Sequence, residues 1–291
     1  MARLTFPLTT GSILLSGMLA AAATVIVPPG PGTPIQDAIN AANPGDTIRL
    51  LLGNYAEHLV VDKPVRIRGV RSRSDQQQPG TTLLSGSCAP GPVVRVASDN
   101  VKLRGILIVQ ELEGGVDVVG HTRVKMHDLF AISNCPGGSV APDYNVEVST
   151  RVRMTKFWGT ADDNLRHGIG VRIAGTPAGG SVVLGGASIF GHHEIGVLLV
   201  DNEAKSVTVS GNYVNGNDRG IVLQNTIEAL VSRNLQVQQN VTAGIDLDAS
   251  STGNQIIGNT IGGSITDVVD AGSGNCWRGN TFATGSVPAC P

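Results

Sequence analysis

The chain is poor in aromatic and charged residues. Phe, Trp and Tyr together make up 3% of its 291 residues, and Asp, Glu, Lys and Arg make up 15%. So few rings exclude a large core built on aromatic anchors. The formal net charge is −2, and the linear sequence shows neither a basic stripe nor an aromatic platform, so nucleic acid is not expected as a partner.

Glycine, in contrast, is abundant, with 38 residues. Gly reaches the positive φ angles that tight turns require. Together with the many Val, Ile and Leu residues, this composition favours short strands joined by tight turns.

The N-terminus has the pattern of an export signal. Arg3 precedes an apolar segment over residues 13–23, which ends in small alanines. We predict a signal peptide over residues 1–23 and a single domain over residues 24–291 that is secreted or periplasmic. The apolar segment is too short for a membrane anchor and is interrupted by Ser16 and Gly17, so no membrane span is expected in the mature chain.

Four cysteines remain after the predicted signal peptide: Cys88, Cys135, Cys276 and Cys290. An even number in an oxidising compartment favours two disulfides. A bond between Cys276 and Cys290 would close a short C-terminal loop, and Cys88 with Cys135 would then link neighbouring coils, although the sequence leaves the connectivity open. A metal site is disfavoured because no Cys-x-x-Cys spacing occurs.

Self-similarity is the strongest signal in the sequence. A short apolar strand follows a glycine at regular intervals. The repeated glycines are Gly170, Gly196, Gly220 and Gly244, which are 26, 24 and 24 residues apart.

A second repeated element is centred on asparagine and keeps a similar period. Its members are Asn212, Asn234, Asn259 and Asn280, with spacings of 22, 25 and 21. Asn tolerates left-handed backbone, and side-chain amides stacked once per coil can bond to one another.

A period near 24 holds two or three short strands, and no repeat has the apolar spacing of a helix. One repeat cannot bury its apolar face alone, so it must stack in parallel on the next. A leucine-rich repeat has a similar period, but its Leu and Asn pattern does not fit this sequence. We therefore predict an all-β fold, a right-handed parallel β-helix, in which Val197, Ile221 and Ile245 lie one above another.

One helix is expected near the start of the predicted domain. Thr33 would be its N-cap, Pro34 its first residue, and Gln36 would complete a capping box. Apolar residues within 35–42 share one face. Because the open end of a solenoid exposes core and strand edges, we expect this helix to cover it.

Four N-terminal segments, residues 35–39, 44–48, 55–57 and 63–69, resemble the opening of right-handed parallel β-helix proteins of the pectin lyase-like fold superfamily. The resemblance extends over residues 33–283 and implies the fold. It does not imply one activity, because this superfamily includes lyases, hydrolases, esterases, epimerases, tailspikes and adhesins. The residue pattern of polygalacturonases is broken here, since Asp162-Asp163 and His167 lie too close together in the sequence.

Aligning the coils on the repeated glycines predicts a polar patch at one turn edge. It contains His167, His193, Glu194, Asp218 and Arg219 as candidate catalytic residues. Carboxylates near His and Arg can act as general acid and base, and a guanidinium can hold a sugar carboxylate through two hydrogen bonds. The alternative is a solvated turn, where charged residues need no function.

A longer connection enters just before this patch and supplies Trp158, Asp162, Asp163 and Arg166 as candidate substrate-binding residues. Trp158 could equally pack the connection against the body of the protein.

Asp246 and Asp248 form a second candidate. Two residues apart on a strand, they point to the same outward face and could bind substrate or Ca²⁺. The alternative is an ordinary solvent-facing strand.

Two functions are compatible with the sequence. The first is an exported protein that binds or processes an extracellular acidic polysaccharide by lyase, hydrolase or epimerase chemistry. The scarcity of aromatics argues against it, because sugar rings stack on exposed Trp or Tyr. The second is a non-catalytic structural, adhesive or binding β-helix, which would explain the missing catalytic motifs. The sequence does not decide whether the chain is an enzyme.

Overall fold

A computed structural model describes residues 21–71, 81–133, 135, 141–161, 168–191, 194–288 and 290. It is an all-β parallel solenoid of about nine turns with one short helix. Most of the predicted signal peptide lies outside the described residues. No helix in the described part is long and apolar enough to cross a membrane.

Among the described residues, the helix α1 covers Pro34–Ala41, and 26 short strands make up the rest of the regular structure. The first thirteen strands are β1 (Thr24–Val27), β2 (Thr47–Leu50), β3 (Gly53–Ala56), β4 (Leu59–Val61), β5 (Arg66–Arg68), β6 (Thr82–Ser85), β7 (Val94–Val96), β8 (Lys102–Val109), β9 (Val116–Val119), β10 (Lys125–Ser133), β11 (Pro142–Glu147), β12 (Val152–Ala161) and β13 (Ile169–Ala174). The others are β14 (Val182–Gly185), β15 (Ser188–Phe190), β16 (Ile195–Val200), β17 (Val207–Ser210), β18 (Tyr213–Asn215), β19 (Arg219–Gln224), β20 (Leu230–Ser232), β21 (Val237–Gln238), β22 (Ala243–Leu247), β23 (Gln255–Ile257), β24 (Ile261–Gly262), β25 (Thr266–Asp270) and β26 (Cys276–Arg278).

Strands of successive coils pair in parallel and form two long sheets. Sheet A has 15 strands, with the order β1-β2-β5-β8-β10-β12-β14-β17-β20-β23-β26 and with β3, β6, β15 and β18 beside this path. Sheet B has nine strands, in the order β4-β7-β9-β11-β13-β16-β19-β22-β25. A third sheet joins β21 and β24.

The predicted stacking of apolar side chains is confirmed. Val197 pairs in register with Ile221, which pairs with Ile245. All three side chains are completely buried. Burying each contributes roughly 1.5–3 kcal/mol, so the columns of Val and Ile supply most of the apolar stabilisation.

Composition suggested that glycine provides positive φ angles in tight turns, but the repeated glycines have a different role. Gly196, Gly220 and Gly244 are needed because the coils approach closely, and none of them has a positive φ. A Cβ atom on Gly220 would lie 2.4 Å from the carbonyl oxygen of Gly244, and one on Gly244 would lie 2.4 Å from Ile261 Cγ2. A side chain at these positions would therefore push neighbouring coils apart.

The predicted asparagine ladder is present and buried. The Asn212 amide donates to Asn234 Oδ1 at 2.9 Å, Asn234 donates to Asn259 at 2.8 Å, and Asn259 donates to Asn280 at 2.9 Å. Each amide also bonds to backbone groups of the turn, as in the 3.3 Å bond from Asn234 Nδ2 to Val209 O. The ladder therefore satisfies the polar groups of turns that are cut off from water.

The helix has the predicted bounds but a different cap. Thr33 makes no capping hydrogen bond with its side chain. Instead, the buried carboxylate of Glu57 accepts from the backbone N–H groups of Ile35 at 3.0 Å and Gln36 at 2.9 Å. Because the first turn of a helix presents unpaired N–H groups and a positive dipole end, a carboxylate there stabilises it. That the helix covers the end of the solenoid remains a prediction.

Two disulfides join the four cysteines. Cys88 bonds to Cys135 and Cys276 bonds to Cys290, across 47 and 14 residues of sequence. Both bonds agree with the expected number and with the pairing that the spacing suggested.

A pair of acidic side chains is buried in the solenoid. Glu111 and Asp143 are 1% and 2% exposed, and their carboxyl groups interact with each other. Burial raises the pKa of Glu111 to about 8. Burial, reinforced by Glu111, also raises the pKa of Asp143 well above its usual value. Gly115 makes room for the pair, since a Cβ atom there would lie 2.4 Å from Glu111 Oε2.

We expect Asn234→Ala to destabilise the chain by roughly 2–4 kcal/mol, because it leaves buried partners in two coils without hydrogen bonds. Urea unfolding followed by circular dichroism measures the change. Asn54→Ala, at an exposed strand position, is the matched control and should change stability by less than about 0.5 kcal/mol. Equal effects of the two substitutions would contradict a structural ladder.

We expect stability to fall as the pH rises from about 5 to 8.5. The raised pKa values mean that the folded chain holds carboxyl protons that the unfolded chain releases, so rising pH favours unfolding. Glu111→Gln, which cannot ionise, should flatten this dependence and at pH 8.5 exceed the wild type by roughly 1–3 kcal/mol. The exposed Glu113→Gln serves as control in the same urea titrations, and an unchanged slope in Glu111→Gln would refute the argument.

Candidate functional site

Four aromatic side chains lie on the outer face of sheet A, in four consecutive coils. Register places Phe130 beside Trp158, Trp158 beside Ser188, and Ser188 beside Tyr213. Phe190 follows Ser188 by two residues and points to the same side. We call these four rings, Phe130, Trp158, Phe190 and Tyr213, the aromatic strip. The sequence separates its members by 23 to 32 residues, so no local motif indicates it.

Half of the aromatic strip is covered and half is open. The guanidinium of Arg71 lies 4.2 Å from the Trp158 ring centroid and 5.3 Å from that of Phe130, and an ion pair of 3.4 Å with Asp128 holds it there. Phe190 and Tyr213 are 39% and 38% exposed. Trp158 therefore packs against the segment of Arg71, and the other two rings face solvent. Whether Trp158 binds substrate or packs its own connection stays a prediction.

The polar patch predicted from the repeat adjoins the open end of the aromatic strip. Ile195 and Arg219 are register partners, and the Arg219 N–H donates to Glu194 O at 2.9 Å, so Glu194 and Asp218 lie in neighbouring coils as expected. The side chains of Glu194 and Asp218 differ in their surroundings. Glu194 is exposed, and Asp218 accepts a hydrogen bond from the hydroxyl of Thr242.

Arg219 of the polar patch forms an ion pair with Asp246 of the second candidate site. Arg219 Nη1 lies 3.4 Å from Asp246 Oδ2. Asp248 instead accepts from the backbone N–H of Asn225 at 3.1 Å and from the hydroxyl of Ser251 at 2.7 Å. The two aspartates thus have separate partners, and these contacts favour the alternative of an ordinary outward strand face followed by a turn.

Five predicted site residues cannot be placed. His167, His193, Asp162, Asp163 and Arg166 lie outside the described residues, so their roles stay predictions. Glu111 and Asp143 are two carboxyl groups in contact, as a catalytic acid and base would be. They are closed to solvent, however, and cannot touch a polymer.

Solved structures of known proteins share this architecture. The chain aligns with the pectate lyase Pel9A at a TM-score of 0.62 and 12% identity, covering 89% of this chain and 79% of that one. It aligns with the A-module of the Azotobacter vinelandii mannuronan C-5 epimerase AlgE4 at a TM-score of 0.53 and 15% identity, covering 86% and 82%. These neighbours confirm the pectin lyase-like parallel β-helix, and at such identities they show the fold alone.

A third neighbour is longer than this chain. It is a mannuronic acid-specific family 6 polysaccharide lyase from human gut microbiota, with a TM-score of 0.59 and 14% identity. The alignment covers 89% of this chain but 64% of the lyase, so the chain spans less than two thirds of that protein. Among curated proteins, no sequence matches the chain significantly.

Residues 107–288 match a protein family described as "Periplasmic copper-binding protein (NosD)". Copper in proteins is held by His, Cys and Met side chains. No group of three or more His, Cys, Asp or Glu residues that could hold a metal ion occurs among the described residues.

Among the described residues, the single His, Cys and Met side chains also contact other protein groups. All four cysteines are in disulfides, and Met126 and Met154 face the buried core. Both ring nitrogens of His58 lie 3.0 Å from backbone carbonyls, and His127 contacts Thr155 at 2.8 Å. Copper therefore does not fit the part of the chain that the structure describes.

The match itself covers more than half of the chain, and the solenoid agrees with a family of β-helix proteins. The family description and the two disulfides both point to an extracytoplasmic location. The chain belongs to the NosD family.

Proposed function

We propose that this chain is a periplasmic β-solenoid that binds a polysaccharide on the outer face of sheet A. The observation that carries the proposal is the open half of the aromatic strip. Phe190 and Tyr213 are the aromatic residues among the exposed large hydrophobic side chains of the described chain, and they lie in adjacent coils of one sheet. The scarcity of aromatic residues argued against sugar binding. It no longer does, because the few exposed rings lie together on one face of sheet A.

Polar groups around the two rings suit a sugar. Sugar rings combine apolar faces, which stack on aromatic side chains, with hydroxyl groups that need hydrogen bonds. Gln236 follows Tyr213 in the next coil, and Asn215 lies beside it, with 3.5 Å between Asn215 Nδ2 and Gln236 Oε1. Amides at an exposed edge can donate to and accept from hydroxyls.

Processing of the bound polysaccharide is a second candidate. The polar patch follows the aromatic strip in the sequence, since Asp218 comes five residues after Tyr213. The structural neighbours named above are a pectate lyase, a mannuronan C-5 epimerase and a mannuronic acid-specific lyase. Glu194 and Asp218 would supply acid and base, and Ca²⁺ could bridge to a substrate carboxylate. Because Arg219 and Asp218 already have protein partners, binding without turnover is the function we favour.

Replacing an open ring tests the binding surface. We expect Tyr213→Ala to weaken polysaccharide affinity by roughly tenfold, the loss that corresponds to one stacking contact. Isothermal titration against pectin, alginate and a neutral glucan gives the affinities. Ile265→Ala removes an exposed apolar side chain elsewhere (75% exposed) and should leave binding unchanged. Equal affinities for Tyr213→Ala and wild type on every polymer would remove the proposal's main support.

Turnover separates binding from processing. We expect incubation with uronate polymers, with and without Ca²⁺, to yield neither unsaturated products nor new reducing ends. Product formation that disappears in Asp218→Asn and Glu194→Gln would establish the second candidate instead.

A further inference from the structure

Stacking assembles a strongly basic surface that the linear sequence hides. It covers the outer face of the first halves of β2, β5, β8, β10 and β12 and the turns beside them, and we call it the basic face. Ten of the chain's 21 lysines and arginines belong to it: Arg49, Arg66, Arg68, Lys102, Arg104, Arg123, Lys125, Arg151, Arg153 and Lys156. Nine are exposed and Lys102 is half-buried.

The basic side chains form rows in register. Arg66 pairs with Lys102, Lys102 with Lys125, and Lys125 with Arg153. Two residues further along each strand, Arg49 pairs with Arg68 and Arg68 with Arg104. Because neighbouring parallel strands lie about 4.8 Å apart, one row places four cations within about 14 Å.

No carboxylate of the described residues lies within ion-pair distance of these cations. Like charges directly opposite one another across strands are destabilising. The arrangement therefore costs stability, and an anionic ligand would relieve the repulsion.

The turn beside the rows adds a second, independent feature. A groove of about 640 Å³ is lined by Arg66, Lys102, Arg123, Lys125 and Arg151. Arg123 and Arg151 have φ angles of 58° and 55°, in a column of left-handed residues that also includes Asn100, Glu228, Gly253 and Gly274. A non-glycine residue in this region costs roughly 1–2 kcal/mol. Both arginines thus have a strained backbone conformation, and both line the groove.

We infer that the basic face is a binding site for a linear polyanionic polysaccharide, such as a polyuronate. A row of cations at regular spacing fits a polymer whose charges repeat along its length, whereas a small anion would need convergent donors. Nucleic acid has a similar charge pattern, but the two disulfides point to an oxidising compartment outside the cytosol, so we take an extracytoplasmic polysaccharide as the ligand. Exposed guanidinium groups can hold carboxylates through two hydrogen bonds.

The inference deepens the proposed function, since it specifies the charge of the ligand, but it uses a different surface. In β10 and β12 the basic face and the aromatic strip lie on the two arms of one strand, which meet at the left-handed residues Asp128 and Lys156. The open rings of the strip lie on β15 and β18. One polymer could contact both arms, and each surface can be tested by itself.

The test uses charge reversal that should not harm folding. In Lys125→Glu/Arg104→Glu the new carboxylate at position 125 lies between Lys102 and Arg153, and the one at position 104 lies beside Arg68, so repulsion becomes attraction and the melting temperature should hold or rise. We expect this variant to bind polygalacturonate and alginate at least about 30-fold more weakly than wild type. Wild-type affinity should also fall about tenfold between 50 and 300 mM NaCl, because exposed charges are screened.

The matched control is Arg95→Glu/Arg278→Glu, which makes the same change in net charge at exposed positions off the basic face. It should retain polyuronate binding within about twofold. Equal losses in both double variants, or tighter binding of duplex DNA than of polyuronate by the wild type, would overturn the inference. Loss of binding in Lys125→Glu/Arg104→Glu while Tyr213→Ala has no effect supports the basic face and contradicts the aromatic strip, and the reverse result does the opposite.

Discussion

The structure depends on the parallel hydrogen bonds that tie each coil to the next. These bonds fix the register, so every inward position must carry a side chain that fits directly beneath its counterpart one coil away. Val197, Ile221 and Ile245 satisfy this demand with apolar groups. At the turns, where backbone polar groups are buried, Asn212 and Asn234 satisfy it with amides that bond both to the backbone and to each other.

The same constraint organises the outer surface. Side chains that are two dozen residues apart in sequence become neighbours at about 4.8 Å spacing, and a property repeated at one position of several coils becomes a surface. The basic face and the aromatic strip arise in this way, on two parts of sheet A that meet in β10 and β12. Neither needs a local motif, and both lie on a rigid sheet that holds their side chains in fixed relative positions.

The buried pair of Glu111 and Asp143 shows where the repeat is broken. Register aligns Tyr144 with Val116 and Val171, so Asp143 occupies the position that Gly115 and Gly170 hold in adjacent coils. Asp267 occupies it near the end of the solenoid, but there three backbone N–H groups donate to the carboxylate and its pKa is lowered in spite of burial. Aspartate at this one position thus has a raised pKa in Asp143, which lies beside the buried Glu111, and a lowered pKa in Asp267, where backbone N–H groups donate to the carboxylate.

Features that repeat could be predicted from the sequence, and features that join unlike segments could not. The period of the glycines and asparagines predicted the stacking and the ladder, because each follows from one coil resembling the next. The cap of α1 could not be predicted in this way. It depends on a contact between Gln36 and Glu57, 21 residues apart, that belongs to no repeat of the sequence. The basic face was missed because its register partners are spaced by 19 to 36 positions in the irregular early coils, where no repeat phase was evident.

The linear stacking of coils can be measured directly with pairs of spin labels. Arg49, Thr155, Ser210 and Ile257 occupy one column of sheet A, at four, six and eight coil steps from Arg49. Because the native cysteines are all in disulfides, introduced cysteines can be labelled selectively. Pulsed electron resonance from position 49 to the other three should give distances that increase in equal steps, at about 19, 29 and 38 Å. Distances that fail to increase with coil number would contradict the solenoid and the surfaces built on it.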